Sequence, residues 1–170
     1  MTVLTDLVQI RLLGEKKRAE NERLRRHMKS HDHSDRILRR VAEKIESQID
    51  CTVCANCCRV ATVKLAPRDV ERLAKHLRIP RERFLAEYAM ESPDEGVILR
   101  REESTGCVFL AGNECTVYDA RPDICQRFPH LVRGQGSIAS RMWEMIDRAC
   151  YCPIVYNSLE AFKDELKFQR

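Results

Sequence analysis

The chain has 170 residues, of which 44% are hydrophobic and 33% charged, with six Gly, six Pro and a net charge of +4. That length suits one domain with appendages, the low Gly and Pro counts argue against wholesale disorder, and no stretch approaches the roughly 18 apolar residues of a membrane helix. The basic excess is mild and N-terminal, with 12 Lys/Arg against 9 Asp/Glu in residues 1–50, so nucleic acid is not the expected partner and the mixed charges read as solvated helix faces.

In chain order, residues 3–28 are expected to form a helix with Leu4, Leu7, Val8 and Leu12 as its apolar stripe. From Glu15 onward this helix is mostly charged, with Glu22 and Arg26 spaced to pair at i,i+4. A helix this polar either projects into solvent or docks on another protein, and a protein partner is expected through these N-terminal helices. Residues 29–34 read as a linker; Ser34 is placed to cap a second helix through Ile49, with Ile37, Leu38, Val41 and Ile45 facing inward. Residues 1–50 thus form an N-terminal helical extension. The leading segment has neither a basic start nor a small-residue cleavage site, so it is not a convincing signal peptide, and a cytoplasmic location is expected.

Residues 51–157 are expected to form a cysteine-cluster metal-binding domain. Arg59 to Leu65 alternates loosely as a short strand. Pro67 suits the first position of a helix carrying Val70, Leu73, Ala74 and Leu77, and Pro80 opens another with Phe84, Leu85 and Tyr88 at core spacing. Ser92 to Gly96 is a turn, Val97–Arg100, Val108–Leu110 and Cys115–Tyr118 are short strands, and Ala111 to Glu114 is a hairpin turn. Arg121-Pro122 opens a helical turn carrying Cys125, and Gly134-Gln135-Gly136 is a flexible loop with no ligand assigned to it. Residues 140–149 and 158–168 read as helices; the segment 158–170 is a C-terminal helix with Leu159, Phe162 and Leu166 as its stripe. The fold class is α+β: a small cysteine-rich metal-binding module of short strands and several helices, with the N-terminal helices added.

All nine cysteines lie between residues 51 and 152, and four of them stand in eight residues: Cys51, Cys54, Cys57 and Cys58. In a reducing compartment an odd set of thiols is a weak disulfide framework. Four inert thiols so close together have no packing rationale, so metal is the expected use. Repeats of three residues place three thiolates around one centre in a tight turn, as in bacterial ferredoxin runs. A Cys-x2-Cys pair is equally the knuckle of a structural zinc site, and spacing does not choose between zinc and iron–sulfur. Cys58 adds information, because neighbours diverge by about 100° on a helix and Cys57 and Cys58 are therefore poorly placed on one tetrahedral ion. Two centres or one polynuclear cluster would use eight of the nine thiols. Cys152, followed by Pro153, has the ferredoxin-like ending, and Cys150 is the spare.

The Cys51-x2-Cys54-x2-Cys57-Cys58 run resembles the signature of the YkgJ-type CxxCxxCC cysteine cluster family, whose members are described as zinc- or iron-chelating. The resemblance continues through Cys107-Val-Phe-Leu110, Cys115-Thr-Val-Tyr118, Arg121-Pro122-x-x-Cys125-x-x-Phe128-Pro129 and Cys152-Pro153. It implies eight ligands: Cys51, Cys54, Cys57, Cys58, Cys107, Cys115, Cys125 and one of Cys150 or Cys152, of which Cys152 is preferred. The flagellin lysine methylase is similar in its cysteine motif, which opens an enzyme reading. Under this reading Arg59, Arg121 and Arg127 would donate to sulfur or to nearby carbonyls, and Phe109, Tyr118, Phe128, Trp143 and Tyr151 would wall the site from water. Among the histidines, His27, His31 and His33 read as part of a solvated linker, His130 is an alternative ligand or donor, and His76 is at the surface.

Three functional classes follow. The first is a metal-binding protein holding an iron–sulfur cluster or other polynuclear iron centre, for redox or modification chemistry with a partner protein. The second is a zinc-stabilised adaptor. The third is a self-contained iron-dependent enzyme whose metal keeps an open position. No nucleophile elbow, dinucleotide fingerprint or Walker loop accompanies the thiols, so no catalytic residue is assigned.

Overall fold

The structure, a computed structural model, describes residues 3–31 and 34–168; His33 and the side chain of Ser34 lie outside the described residues. It is α+β, with ten α-helices and three two-stranded antiparallel sheets among the described residues. The chain divides into two compact units. One combines residues 1–50 with residues 128–170, and the other is the continuous stretch Cys51–Arg127.

The first unit is helical: α1 (Leu7–Lys16), α2 (Arg18–Lys29), α3 (Ser34–Glu46), α9 (Met142–Arg148) and α10 (Pro153–Glu165). The expected single N-terminal helix is two helices, which meet at Lys17. Asp6 caps α1 by accepting the Gln9 N–H at 2.8 Å. The face that α1 buries is Ile10 and Gly14, while Val8 and Leu12 of the expected stripe stand exposed. Gly14 is required there, because a Cβ would sit 2.7 Å from the Ala149 carbonyl oxygen and the Cys150 Cα. The charged helix α2 buries Asn21, Leu24 and Met28. It packs on α9 within its own chain, so this face is already covered. Leu38, Val41 and Ile45 of α3 meet Ile154, Val155, Leu159 and Phe162 of α10 in one apolar core. Helix α10 begins five residues before the expected start, at Pro153, which needs no N–H partner at a first position.

Two buried polar side chains of this unit, Asn157 and Lys163, are fixed by directed bonds. Asn157 donates to the Leu4 and Pro153 carbonyls at 2.7 Å each and accepts the Leu4 N–H at 2.9 Å. Lys163, 1% exposed, is held between Glu20 and Glu160 at 2.5 Å each, and Glu160 also pairs with Lys17. No helix among the described residues is long and apolar enough to cross a membrane.

The second unit carries seven of the nine cysteines. It runs α4 (Cys51–Cys54), α5 (Asn56–Val60), α6 (Pro67–Leu77), α7 (Arg81–Tyr88), β1 (Ala89–Ser92), β2 (Gly96–Leu99), β3 (Arg101–Glu102), β4 (Gly106–Cys107), β5 (Leu110–Ala111), β6 (Glu114–Cys115), a 3-10 turn at Tyr118–Ala120, and α8 (Asp123–Arg127). The expected strand at Arg59 to Leu65 is reduced to an isolated bridge from Lys64 to Ile98, because Arg59 and Val60 complete α5. The three hairpins pair sequential strands, and the last is closed by Gly112-Asn113 within the expected turn. Val63, Leu65, Val70, Leu73, Phe84, Leu99, Phe109 and Val117 form the core, with Phe84, Tyr88 and Phe109 stacked in sequence.

Candidate metal centre

The Cys51–Cys58 run is two helical turns joined at one reversed residue. Helix α4 ends at Cys54, Ala55 adopts a left-handed conformation at φ 45°, and α5 starts at Asn56. The Ala55 N–H closes α4 on the Cys51 carbonyl at 2.9 Å, and the Ala55 carbonyl accepts the Cys58 N–H at 3.1 Å. Cys51 is exposed and Cys54, Cys57 and Cys58 are half-buried. The neighbouring Cys57 and Cys58 thiols on α5 are close enough for Cys57 to favour the ionised form of Cys58.

Three further thiols come from three other elements, Cys107 from β4, Cys115 from β6 and Cys125 from α8. Each is half-buried and packs against the apolar core of this unit. With Cys58 they form one electrostatic neighbourhood. The Cys58 thiol is lowered to about 7, first by the Cys57 hydrogen bond and then, against burial, by the guanidinium charges of Arg59 and Arg121. Burial pushes Cys107 up to about 11 and Cys125 up to about 12, and raises Cys115. The charges of Cys58 and Cys115 add to the rise at Cys107, and those of Cys107, Cys58 and Cys115 to the rise at Cys125. Four thiols from α5, β4, β6 and α8 therefore repel one another's ionisation, which a bound cation reverses by favouring thiolate.

Among the described residues no group of three Cys, His, Asp or Glu side chains stands ready to hold a metal ion. The donor set nevertheless fits a thiolate-binding metal, since soft sulfur ligands select zinc, copper(I) and iron–sulfur centres. Cys152 belongs to the helical unit, where it precedes α10 in the apolar core. Cys150 is in the same unit; burial pushes its thiol up to about 11, and it lies 3.7 Å from the Ile146 carbonyl oxygen.

The backbone around the thiols is tied by arginines. Arg59 donates to the Cys54 carbonyl at 2.9 Å and the Gly112 carbonyl at 3.0 Å, and also bonds the Asn113 side chain. Asn113 in turn donates to the Val53 carbonyl at 2.8 Å. Arg101 donates to the Val60 and Arg59 carbonyls at 2.9 and 3.0 Å. Arg121 donates to the Tyr118 carbonyl at 2.8 Å with its guanidinium 3.5 Å from the Tyr118 ring centroid, and Arg127 pairs with Asp123 at 3.2 Å. Arg101 and Asn113 were not singled out in the sequence. Gly106 was missed as well: at φ +82°, it lets β4 approach α5 so closely that a Cβ would stand 2.6 Å from the Arg59 Cα and 2.7 Å from the Cys58 carbonyl oxygen.

The other expected residues fall as follows. Phe109 is buried in the cysteine unit, but Tyr118 is half exposed and Trp143, on α9 of the helical unit, is 60% exposed. Phe128 and Tyr151 stack on each other in the helical unit at 6.4 Å between centroids. His130 also belongs to the helical unit, edge-on to Phe128, and its carbonyl accepts from Arg141. His27 stacks on His31 at 4.0 Å, and His76 is exposed.

A family model described as "CxxCxxCC: Putative zinc- or iron-chelating domain" matches residues 50–153, more than half of the chain. Neither the comparison with curated proteins nor that with solved structures gave a match.

Proposed function

This chain belongs to the CxxCxxCC family of zinc- or iron-chelating domains, and we propose that it holds a polynuclear thiolate metal centre, iron–sulfur ahead of zinc, serving redox or modification chemistry with a partner protein in the cytoplasm. The observation that carries this reading is that Cys107, Cys115 and Cys125, from three separate elements, pack against the apolar core of one unit, with β4 brought against the Cys58–Arg59 backbone of α5. Unpaired, such thiols oppose one another's charge, and a metal turns that opposition into ligation. The proposed ligands are Cys58, Cys107, Cys115 and Cys125 with Cys51, Cys54 and Cys57, and the sequence adds Cys152 on its Cys-Pro context. Seven or eight thiols exceed what one tetrahedral zinc takes, which favours a cluster. An iron–sulfur centre bound there would supply electron transfer.

The chain's own residues would then have three tasks. Arg59 and Arg121 offset thiolate charge next to Cys58. Phe109 keeps the Cys107 and Cys115 side of the unit dry from within the core. The α1–α3 segment offers the surface for the partner.

A second reading is supported by the dimensions of the sheet. Strands β3 to β6 are two residues each, too short to be stable alone, so zinc binding would supply folding energy to the cysteine unit. Elemental analysis with acid-labile sulfide and an absorption spectrum, on protein purified without oxygen, separates the cases. Iron with matching sulfide supports the cluster. Iron without sulfide points to a polynuclear iron site and an enzyme. About two zinc ions per chain and no colour refute the cluster in favour of a zinc-stabilised module.

A further inference from the structure

We propose that Asp69 and Arg72 of α6 are positioning residues for Cys125, holding the start of α8 so that this thiol is presented to the metal centre; the proposal rests on the metal-binding reading of the cysteine unit.

Helix α8 has five residues. A helix so short does not persist on its own, because nucleation costs more than one turn returns, so the direction in which Cys125 points is set by what grips the chain before it. That grip comes from α6. Asp69 is 2% exposed. Its Oδ2 accepts the Ala66 N–H at 3.1 Å, an ordinary task at a helix start. Its Oδ1 accepts the Arg72 guanidinium at 2.6 Å and, 54 positions along the chain, the Asp123 N–H at 3.1 Å. Arg72 completes the clamp. Its Nε donates to the Ala120 carbonyl at 3.3 Å, and its Nη2 to the Arg121 carbonyl at 2.8 Å and to Asp123 Oδ1 at 3.1 Å.

The segment from Ala120 to Asp123 is therefore held at two carbonyls, one N–H and one carboxylate, with Pro122 buried between them. The clamp passes to the thiol through one turn, since the Pro122 carbonyl accepts the Cys125 N–H at 2.9 Å and the Gln126 N–H at 3.0 Å. Asp123 Oδ2 is further pinned by Arg127 at 3.2 Å and by Arg68. Capping α6 needs only one carboxylate oxygen. A buried charge is expensive unless every lone pair is used, and here the second oxygen is spent on the segment that leads to Cys125. Groups that orient a ligand from behind typically affect metal affinity by about 10–100-fold.

The test uses Co2+ on the full chain, read by its thiolate absorption, with affinity from chelator competition and metal-free stability from urea unfolding. Asp69→Asn and Arg72→Lys, the latter keeping the charge but not the planar fork, are each made in the wild-type and in the Cys125→Ser background. The expected result is that each weakens Co2+ binding about 10–100-fold in the wild-type background, lowers thiolate absorption to the Cys125→Ser level, and has no further effect once Cys125 is Ser. Equal losses in both backgrounds would show a general structural role and overturn the proposal. Unchanged affinity in both variants overturns it too. Should Asp69→Asn fail to fold, Arg72→Lys carries the same comparison. A Cys125→Ser protein with wild-type Co2+ binding removes Cys125 as a ligand and the proposal with it. Wild-type protein that takes up no Co2+ refutes the metal reading itself, a distinct result.

Discussion

Gly106→Ala probes the approach of β4 to α5, on which the spacing of Cys107 and Cys58 depends. Two costs add. A residue with a Cβ at φ +82° costs about 1–2 kcal/mol over glycine in the left-handed region. The new methyl would also meet the Arg59 Cα at 2.6 Å and the Cys58 carbonyl oxygen at 2.7 Å; both are backbone atoms that cannot swing aside, and overpacking of this kind costs about 1–3 kcal/mol. Gly96→Ala is the control, since Gly96 has a similar φ of +74° and nothing within 4 Å of its added Cβ. The gain from stiffening the unfolded chain, about 0.4–1 kcal/mol, is common to both and cancels. Gly106→Ala should therefore destabilise the cysteine unit by about 1–3 kcal/mol more than Gly96→Ala. Native-state hydrogen exchange on peptides from residues 51–127 of the metal-free protein measures the difference, and metal content per chain should fall only in Gly106→Ala. Losses equal within about 0.5 kcal/mol, the range of a neutral surface change, would refute the close-approach argument.

In the helical unit, Lys163→Met should cost about 3–5 kcal/mol, because it leaves Glu20 and Glu160 facing each other without the buried ammonium between them; Trp143 fluorescence in urea reports it, and a loss below about 1 kcal/mol contradicts the assignment. The same network sets a pH window. Burial alone would raise the Glu160 carboxyl, but hydrogen bonds from Lys163 and Lys17 hold it below the ordinary 4.5. Burial alone would lower Lys17, but its bond to Glu160 raises it above 10.5. Stability from Glu160 is complete above its unfolded value and lost as pH falls through the depressed one. Stability from Lys17 is complete below 10.5 and lost as pH rises through the raised one. Thermal melts across pH should show a plateau between these limits, and Glu160→Gln should flatten the acid side. Cys54→Ser and Cys57→Ser should each lose metal together with soluble yield, measured by elemental analysis; full metal content in both would remove these residues from the ligand set.

What the sequence discloses about this molecule depends on range. Local signals were legible: Pro67 opening α6, the apolar positions of α3, the turn around Gly112-Asn113, and the eight-residue thiol run. Signals that require a partner far along the chain were not. Val8 and Leu12 fit a helical stripe as well as Ile10 does, and only the backbone of Ala149 and Cys150, packed on Gly14, decides which face turns inward. The charged α2 reads as solvated because Leu24 and Met28 are few, yet they suffice once α9 covers them. In the candidate site the thiols announce themselves, whereas Gly106, Arg101, Asn113 and Asp69 do not. Their roles are backbone contacts made 40 to 60 residues away, and a lone Gly or Asp carries no local mark of such a contact.

The discontinuous helical unit has a consequence for how the protein is made. Residues 1–50 leave the ribosome well before residues 128–168, which complete their core. At about 5–20 residues per second, Leu38, Val41 and Ile45 wait on the order of 5–20 s for Leu159 and Phe162 to be synthesised. Once residue 127 has left the ribosome, the cysteine unit, an uninterrupted stretch, is free to fold and to be loaded without waiting for any later residue. The nascent helices meanwhile expose an apolar face suited to a chaperone. Translation order thus separates the two units in time, and pausing downstream of residue 127 should lengthen the period in which metal delivery and chaperone capture compete with aggregation.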